Sequence, residues 1–339
     1  MQHETKFLSR VALLMLLFSL QQLTVFACDL CGCFIGVLPY DNQSSFSINH
    51  RYRIFSGYPG MSGGMVFPSG AYRLSKPPSV LHGVNQVATS QNDFESYKLI
   101  ELRGKWFVSP RVELNFILPF AENRSSTNGV KQRIDGLGDA TILAGYHLIR
   151  KVGDGNFRHR LVVGLGIKLP SGKCNAKTSD GDRISLMMQT GTGSTDGIFY
   201  LAYTGGGYNF RWGATGSTKF SGSNKYKEQL TPATSSTAFV GYVLTVKSWK
   251  LLPEISAYQE YMRGMYVGNE FEQGTTMNGV LLGPSIDAFW KNLGINLSYQ
   301  LPVYEQKENY NLESKARISL GLTWSFNQKK FIIDSPQKS

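Results

Sequence analysis

The chain has 339 residues, of which 17% are charged and 42% hydrophobic, with 36 Gly, 17 Tyr and 20 Phe. Beyond the amino terminus no run reaches about 18 apolar residues, so helical membrane spans are excluded and any membrane part must be a closed barrel that pairs its own backbone. The net charge of +11 comes from Lys and Arg scattered along the chain, with no basic helix or binding motif, which sets nucleic acid aside as a partner.

Lys6 and Arg10 precede an apolar run from Val11 to Leu20, and Val25-Phe26-Ala27 puts small or aliphatic residues where a signal peptidase reads. Residues 1–27 therefore read as an export signal, too short to span a bilayer. The mature segment, 28–43, opens with Cys28-Asp29-Leu30-Cys31-Gly32-Cys33. Three readings stay open for these thiols. Two of them pair as a disulfide in the oxidising periplasm; Cys28 is acylated, since Val25-Phe26-Ala27-Cys28 resembles a lipobox; or the cluster wraps a soft metal such as Cu(I) or Zn(II), although no adjacent His completes a four-ligand site.

From residue 44 on, apolar and polar residues alternate, the pattern of a strand with one oily and one wet face. The first strand, about 44–56, sets Phe46, Ile48, Tyr52 and Ile54 against Ser45, Ser47, Asn49, Arg51 and Arg53, with His50 interrupting the apolar face. A Gly-, Pro- and Ser-rich loop, about 58–92, follows. Strands at about 93–108 and 111–120 are joined by Ser109-Pro110, and a polar loop at about 121–137 leads to a pair at about 138–149 and 159–169. A longer loop, about 171–196, precedes strands at about 197–205 and 209–220. The rest lie at about 236–247, 250–262, 279–290, 292–303 and 315–326, the last ending in Trp324-Ser325-Phe326.

The expected fold is all-β, an antiparallel transmembrane β-barrel of about 12 strands over 44–327, with a carboxy-terminal tail at 328–339. Connections alternate long and short, as they do when long loops face outward and tight turns face the periplasm. Trp106, Trp249, Trp290 and Trp324 fall near the periplasmic strand ends, where an aromatic girdle belongs. The alternation points Arg51, Arg53, Arg111, Glu113, Asp139, Lys168, Glu254, Glu260, Asp287 and Arg317 into the barrel. Bare charges do not sit in a dry interior, so either water fills it or the charges pair.

Catalytic and nucleotide readings find no support in the motifs. Gly166 to Cys174 resembles a phosphate loop, but the glycine spacing is one residue too long and Cys174 replaces the Ser or Thr that would hold magnesium. His50, His82, His147 and His159 have no Ser-containing elbow beside them. No catalytic residue and no cofactor is expected.

Asp135-Gly136-Leu137-Gly138-Asp139 and Gln189-Thr190-Gly191-Thr192-Gly193-Ser194-Thr195-Asp196-Gly197, with the Cys-rich start, Gly36-Val37-Leu38-Pro39 and Arg51-Tyr52-Arg53, resemble the outer-membrane barrel family named for the meta-pathway of phenol degradation, in the branch with a cysteine-rich amino terminus. The resemblance implies an outer-membrane barrel that passes small, often hydrophobic or aromatic, molecules, and makes Asp135 and Asp139 rim residues. A turn in which the Asp caps its own backbone is the alternative for that motif.

The function expected is a channel or transporter for small solutes in the outer membrane of a Gram-negative-type envelope, with outer-membrane lipid and a small molecule as partners and the oligomeric state left open. The rivals are an outer-membrane lipid-modifying enzyme and a structural or metal-handling surface protein built on Cys28, Cys31 and Cys33.

Overall fold

A computed structural model describes residues 43–57, 93–127, 129–151, 157–179, 181–272, 275–306 and 312–326. The export signal, the three clustered cysteines, the loop at about 58–92 and the tail lie outside the described residues.

Strands follow one another as β1 (Ser44–Ser56), β2 (Phe94–Ser109), β3 (Val112–Thr127), β4 (Val130–Leu137), β5 (Thr141–Lys151), β6 (Phe157–Lys168), β7 (Asp196–Gly207), β8 (Phe210–Ser221), β9 (Glu228–Leu230), β10 (Ala233–Tyr242), β11 (Leu244–Val246), β12 (Trp249–Met262), β13 (Met265–Val267), β14 (Glu270–Glu272), β15 (Met277–Trp290), β16 (Leu293–Gln306) and β17 (Ser314–Phe326). Twelve of them close a ring in the order β1, β2, β3, β5, β6, β7, β8, β10, β12, β15, β16, β17. The ring shuts where β17 pairs antiparallel with β1, Ser44 opposite Phe326 and Arg53 opposite Arg317. Closure leaves no strand edge in lipid, the condition a strand-built membrane protein must meet. No helix among the described residues is long and apolar enough to cross a membrane.

The outward face is greasy. Phe46, Ile48, Ile100, Leu102, Phe116, Leu118, Leu165, Leu297, Leu320 and Leu322 are all exposed, Leu165 by 66%. Apolar surface on that scale is intolerable in water and marks a lipid-facing wall. Alternate residues point inward and are buried though polar, among them Arg51, Glu101, Lys168, Glu260 and Arg317. The molecule is a soluble protein turned inside out, with its polar core jacketed by hydrocarbon.

The two ends of the barrel differ. At one end the connections are tight, and at Tyr208, Lys247 and Lys291 the first central residue of the turn takes φ between 51 and 54°, as primed hairpin turns require. Trp249 stacks on Trp290 with centroids 6.1 Å apart, and Trp106 and Trp324 both meet Phe326 at this end. Short turns and an aromatic girdle identify it as the periplasmic end.

The segment at about 121–137, expected as a polar loop, is instead strand. β3 runs on to Thr127 and β4 returns along it from Thr127↔Val130 to Phe120↔Leu137. The alternation failed to mark it because both faces there are polar. Glu122 gathers Lys98, Arg124 and Arg133 within 3.5 Å, so this hairpin stands in water beyond the bilayer and needs no oily face. The strand expected at about 236–247 is divided at Val243 into β10 and β11. A further small sheet, β14-β13-β9, caps the same outer end.

Candidate functional site

The inward face of the strands builds two cavities that meet at the Arg51–Glu101 pair, which lines both. The first, of about 180 Å³, has room for on the order of ten waters. On its β1 and β2 wall, Glu101 forms an ion pair with Arg51 at 2.9 Å and accepts a hydrogen bond from Arg103 at 2.7 Å. Further toward the periplasm, Glu113 holds Lys105 and His147, each at 3.0 Å, and receives the Tyr200 hydroxyl at 3.5 Å. The Tyr200 ring fills the space a Cβ would need at Gly164 on the neighbouring strand, so glycine there is what lets the ring lie flat against the wall. Across the barrel, Glu254 accepts from Ser285 at 3.1 Å and Asp287 from Asn296 at 2.6 Å. Arg317 donates to Gln300 at 2.7 Å and lies over the Tyr258 ring.

The second cavity, about 110 Å³, sits toward the outer mouth beneath the connection between β6 and β7. The described residues of that connection, 169–179 and 181–195, fold into the barrel. Its 3₁₀ turn, Leu186–Met188, packs Leu186 against Leu230, Ala233, Met262 and Met265 on one side and Met188 against Phe55, Tyr97 and Ile134 on the other. β1 and β2 stand nearly opposite β10 and β12 in the ring, so the turn bridges the mouth from wall to wall. Gln189 braces it, with its side chain bonded to both backbone groups of Ala176 and to the Ile184 carbonyl, while Asn123 donates to the Met188 carbonyl.

The neck of this inward loop is fastened at Asp139, in the link between β4 and β5 and outside the membrane-spanning strands. Its carboxylate accepts from Lys168 Nζ at 2.6 Å, the Thr192 N–H at 2.8 Å, the Gly172 N–H at 2.9 Å and the Thr192 hydroxyl at 2.9 Å. Burial pushes this carboxyl up, but Lys168 and the two N–H donors outweigh it and hold the group below the ordinary aspartate value. Lys168 also reaches Asp196 at 2.9 Å, and Asp196 faces Lys219 at 3.5 Å. A Cβ at Gly191 would stand 2.6 Å from the Asp139 carboxylate, so the loop and the motif interlock through their glycines. A second latch, Arg183 onto Glu228, ties the loop to β9.

Of the residues read as inward-facing, Arg51, Glu113, Glu254, Asp287 and Arg317 line the first cavity, Arg53, Asp139 and Lys168 the second, and Arg53 pairs with Glu260. Arg111 is a correction. It sits in the turn before β3 and is exposed, because the pairing of β2 with β3 begins only at Val112, so nothing directs its side chain inward. Asp135 is exposed at the outer hairpin beside Arg133. Asp139 caps the loop and not its own turn. Sequence reading missed Glu101, Arg103, Lys105, Arg160, Tyr200 and Lys219, although the same parity rule reaches all of them. It also missed the inward loop, whose one signal was the pair of Gly-rich motifs, far apart in sequence, that meet at Asp139. His147 and His159 bond Glu113 and Tyr203, not a serine, and no three His, Cys, Asp or Glu among the described residues are grouped to hold a metal ion.

Comparison with known proteins bears on this arrangement. The crystal structure of an outer membrane channel from Pseudomonas putida F1 superposes with a TM-score of 0.61 at 12% identity, covering 86% of this chain and 100% of that one. The β domain of the Bordetella autotransporter BrkA gives 0.46 at 13% identity, covering 84% and 100%, and the transport unit of the autotransporter AIDA-I from Escherichia coli gives 0.43 at 9%, covering 86% and 94%. A search of the curated proteins finds no match. At such identities the first likeness speaks to the fold alone. The model of the family described as "Putative MetA-pathway of phenol degradation" matches residues 85–320, well over half of the sequence, and the chain is a member of that family.

Proposed function

We propose that this barrel is a passive outer-membrane channel for small solutes, narrowed at its outer mouth by the loop 169–195. One observation carries the reading. Inside a lipid-jacketed ring, charged side chains line two adjoining cavities, and Glu254 and Asp287, which among the described residues form no ion pair and meet only Ser285 and Asn296, need water beside them. A barrel meant only as an anchor would fill its centre with packed side chains. Likeness to the P. putida channel supports the same reading. The polar walls favour polar or charged passengers over purely apolar ones, since an apolar solute would strip water from Arg, Lys and Glu side chains without replacing it.

Reconstitution into liposomes loaded with a small polar dye tests this. Release that depends on the protein and slows steeply with solute size supports a channel. Retention of the smallest solutes by correctly folded protein overturns it.

A further inference from the structure

The first cavity is electrically two-sided. β2 and β6 carry Arg103, Lys105 and Arg160 into it, while β12 and β15 carry Glu254 and Asp287. In the ring of twelve, β12 stands five strands from β2 and β15 five from β6, so the two sets face each other across the lumen.

The carboxylates of the two walls are differently satisfied. Glu101 and Glu113, on the cationic side, each hold a cation within 3.0 Å. Glu254 and Asp287 hold only the neutral Ser285 and Asn296; among the described residues, neither forms an ion pair. The acidic wall thus has no cation among its own neighbours. On the other wall Arg51, Arg103, Lys105 and Arg160 outnumber Glu101 and Glu113, so an excess of positive charge faces the carboxylates of β12 and β15 across the cavity, and the result is a field directed across the path of any passing molecule.

Such a field sorts solutes by chemistry. A lone anion is drawn to one wall and repelled by the other, and a lone cation the reverse. An uncharged apolar solute gains nothing and displaces water that the field has oriented. A short molecule with an ammonium at one end and a carboxylate at the other satisfies both walls at once.

We infer that this cavity selects small zwitterions of the amino-acid type, the ammonium seated at Glu254 and Asp287 and the carboxylate toward Arg103, Lys105 and Arg160. The inference deepens the channel reading and rests on it. Asn296 and Ser285 hold the two carboxylates in place as positioning residues.

The test is uptake into proteoliposomes of three solutes on one carbon frame: alanine as the zwitterion, lactate as the anion and isopropylammonium as the cation. Alanine enters about fivefold faster than either single-charge solute, the factor a partly solvated charge pair supports. In the double variant Glu254→Gln and Asp287→Asn, which keeps side-chain shape and removes buried charge, that advantage disappears and lactate enters as fast as alanine. Glu270→Gln, on the exposed outer sheet, leaves the preference as in the wild type. Equal entry of all three solutes through the wild-type protein overturns the inference while leaving the channel intact, as does a preference that survives in the double variant. Exclusion of all three by folded protein overturns the channel reading and the inference together.

Discussion

Asp139→Asn unfastens the inward loop. The carboxylate takes four hydrogen bonds, from Lys168, Gly172 and twice from Thr192. Asparagine keeps the shape but offers one oxygen, and turns an NH2 toward groups that themselves donate. Lys168 keeps Asp196 at 2.9 Å, so the variant does not strand a buried ammonium. What is lost is one charge-assisted bond and the partner of one or two backbone N–H groups. Bonds to charged groups contribute about 1.5–3 kcal/mol each, and the surviving Asp196 contact argues for the lower part of that range, about 2 kcal/mol. The unseated population then rises about 30-fold. Trypsin reads this directly, because Arg183 is half-buried and clamped to Glu228. Cleavage after Arg183, limited by opening, speeds up about 30-fold in the variant. A rate at Arg183 within about twofold of wild type refutes the claim that Asp139 holds the loop in place.

Other consequences follow from the same geometry. The Asp139 carboxyl titrates below its ordinary value of 3.8, so its contribution to seating is complete above that value and is lost as pH falls through the lowered one. Hydrogen-exchange protection of the Thr192 N–H accordingly holds from neutral pH down to about pH 4 and declines only below it. Gly191→Ala forces a methyl group against the Asp139 carboxylate and the Gly172 backbone; an overpacking penalty of about 1–3 kcal/mol exposes Arg183 to trypsin in the same direction as Asp139→Asn. Met188→Ala empties a fully buried site beside Phe55, Tyr97 and Ile134, weakening loop packing by about 2–5 kcal/mol. It raises solute flux in liposomes with no change in the heat-induced gel shift of the barrel.

The barrel was legible because lipid imposes a simple rule: wherever a strand crosses hydrocarbon, every second residue must be apolar. β16 and β17 follow it without interruption, and their observed limits fall within a few residues of those read from the alternation. Where lipid ends, the rule ends. Glu122, Arg124, Arg133 and Asp135 gave no sign of the β3–β4 hairpin because a strand in water is held by its ladder and its ion pairs. Parity also assigns faces, so the inward positions of Arg51, Glu113 and Lys168 could be read from their own strands. Their partners could not. Which carboxylate meets Lys168 depends on Asp139, 29 residues away, and on a loop whose fold is set by glycine contacts between distant segments. The opposition of Glu254 and Asp287 to the basic wall is likewise a property of ring order, which no single strand encodes.

Single-channel recording in planar bilayers tests the account most directly, with the wild-type protein beside a variant in which residues 184–189 are replaced by a short glycine linker. A water-filled interior constricted by that segment predicts discrete current steps in the wild type and clearly larger ones in the variant. Flat traces from both proteins, each folded and inserted, would show a sealed barrel and contradict it.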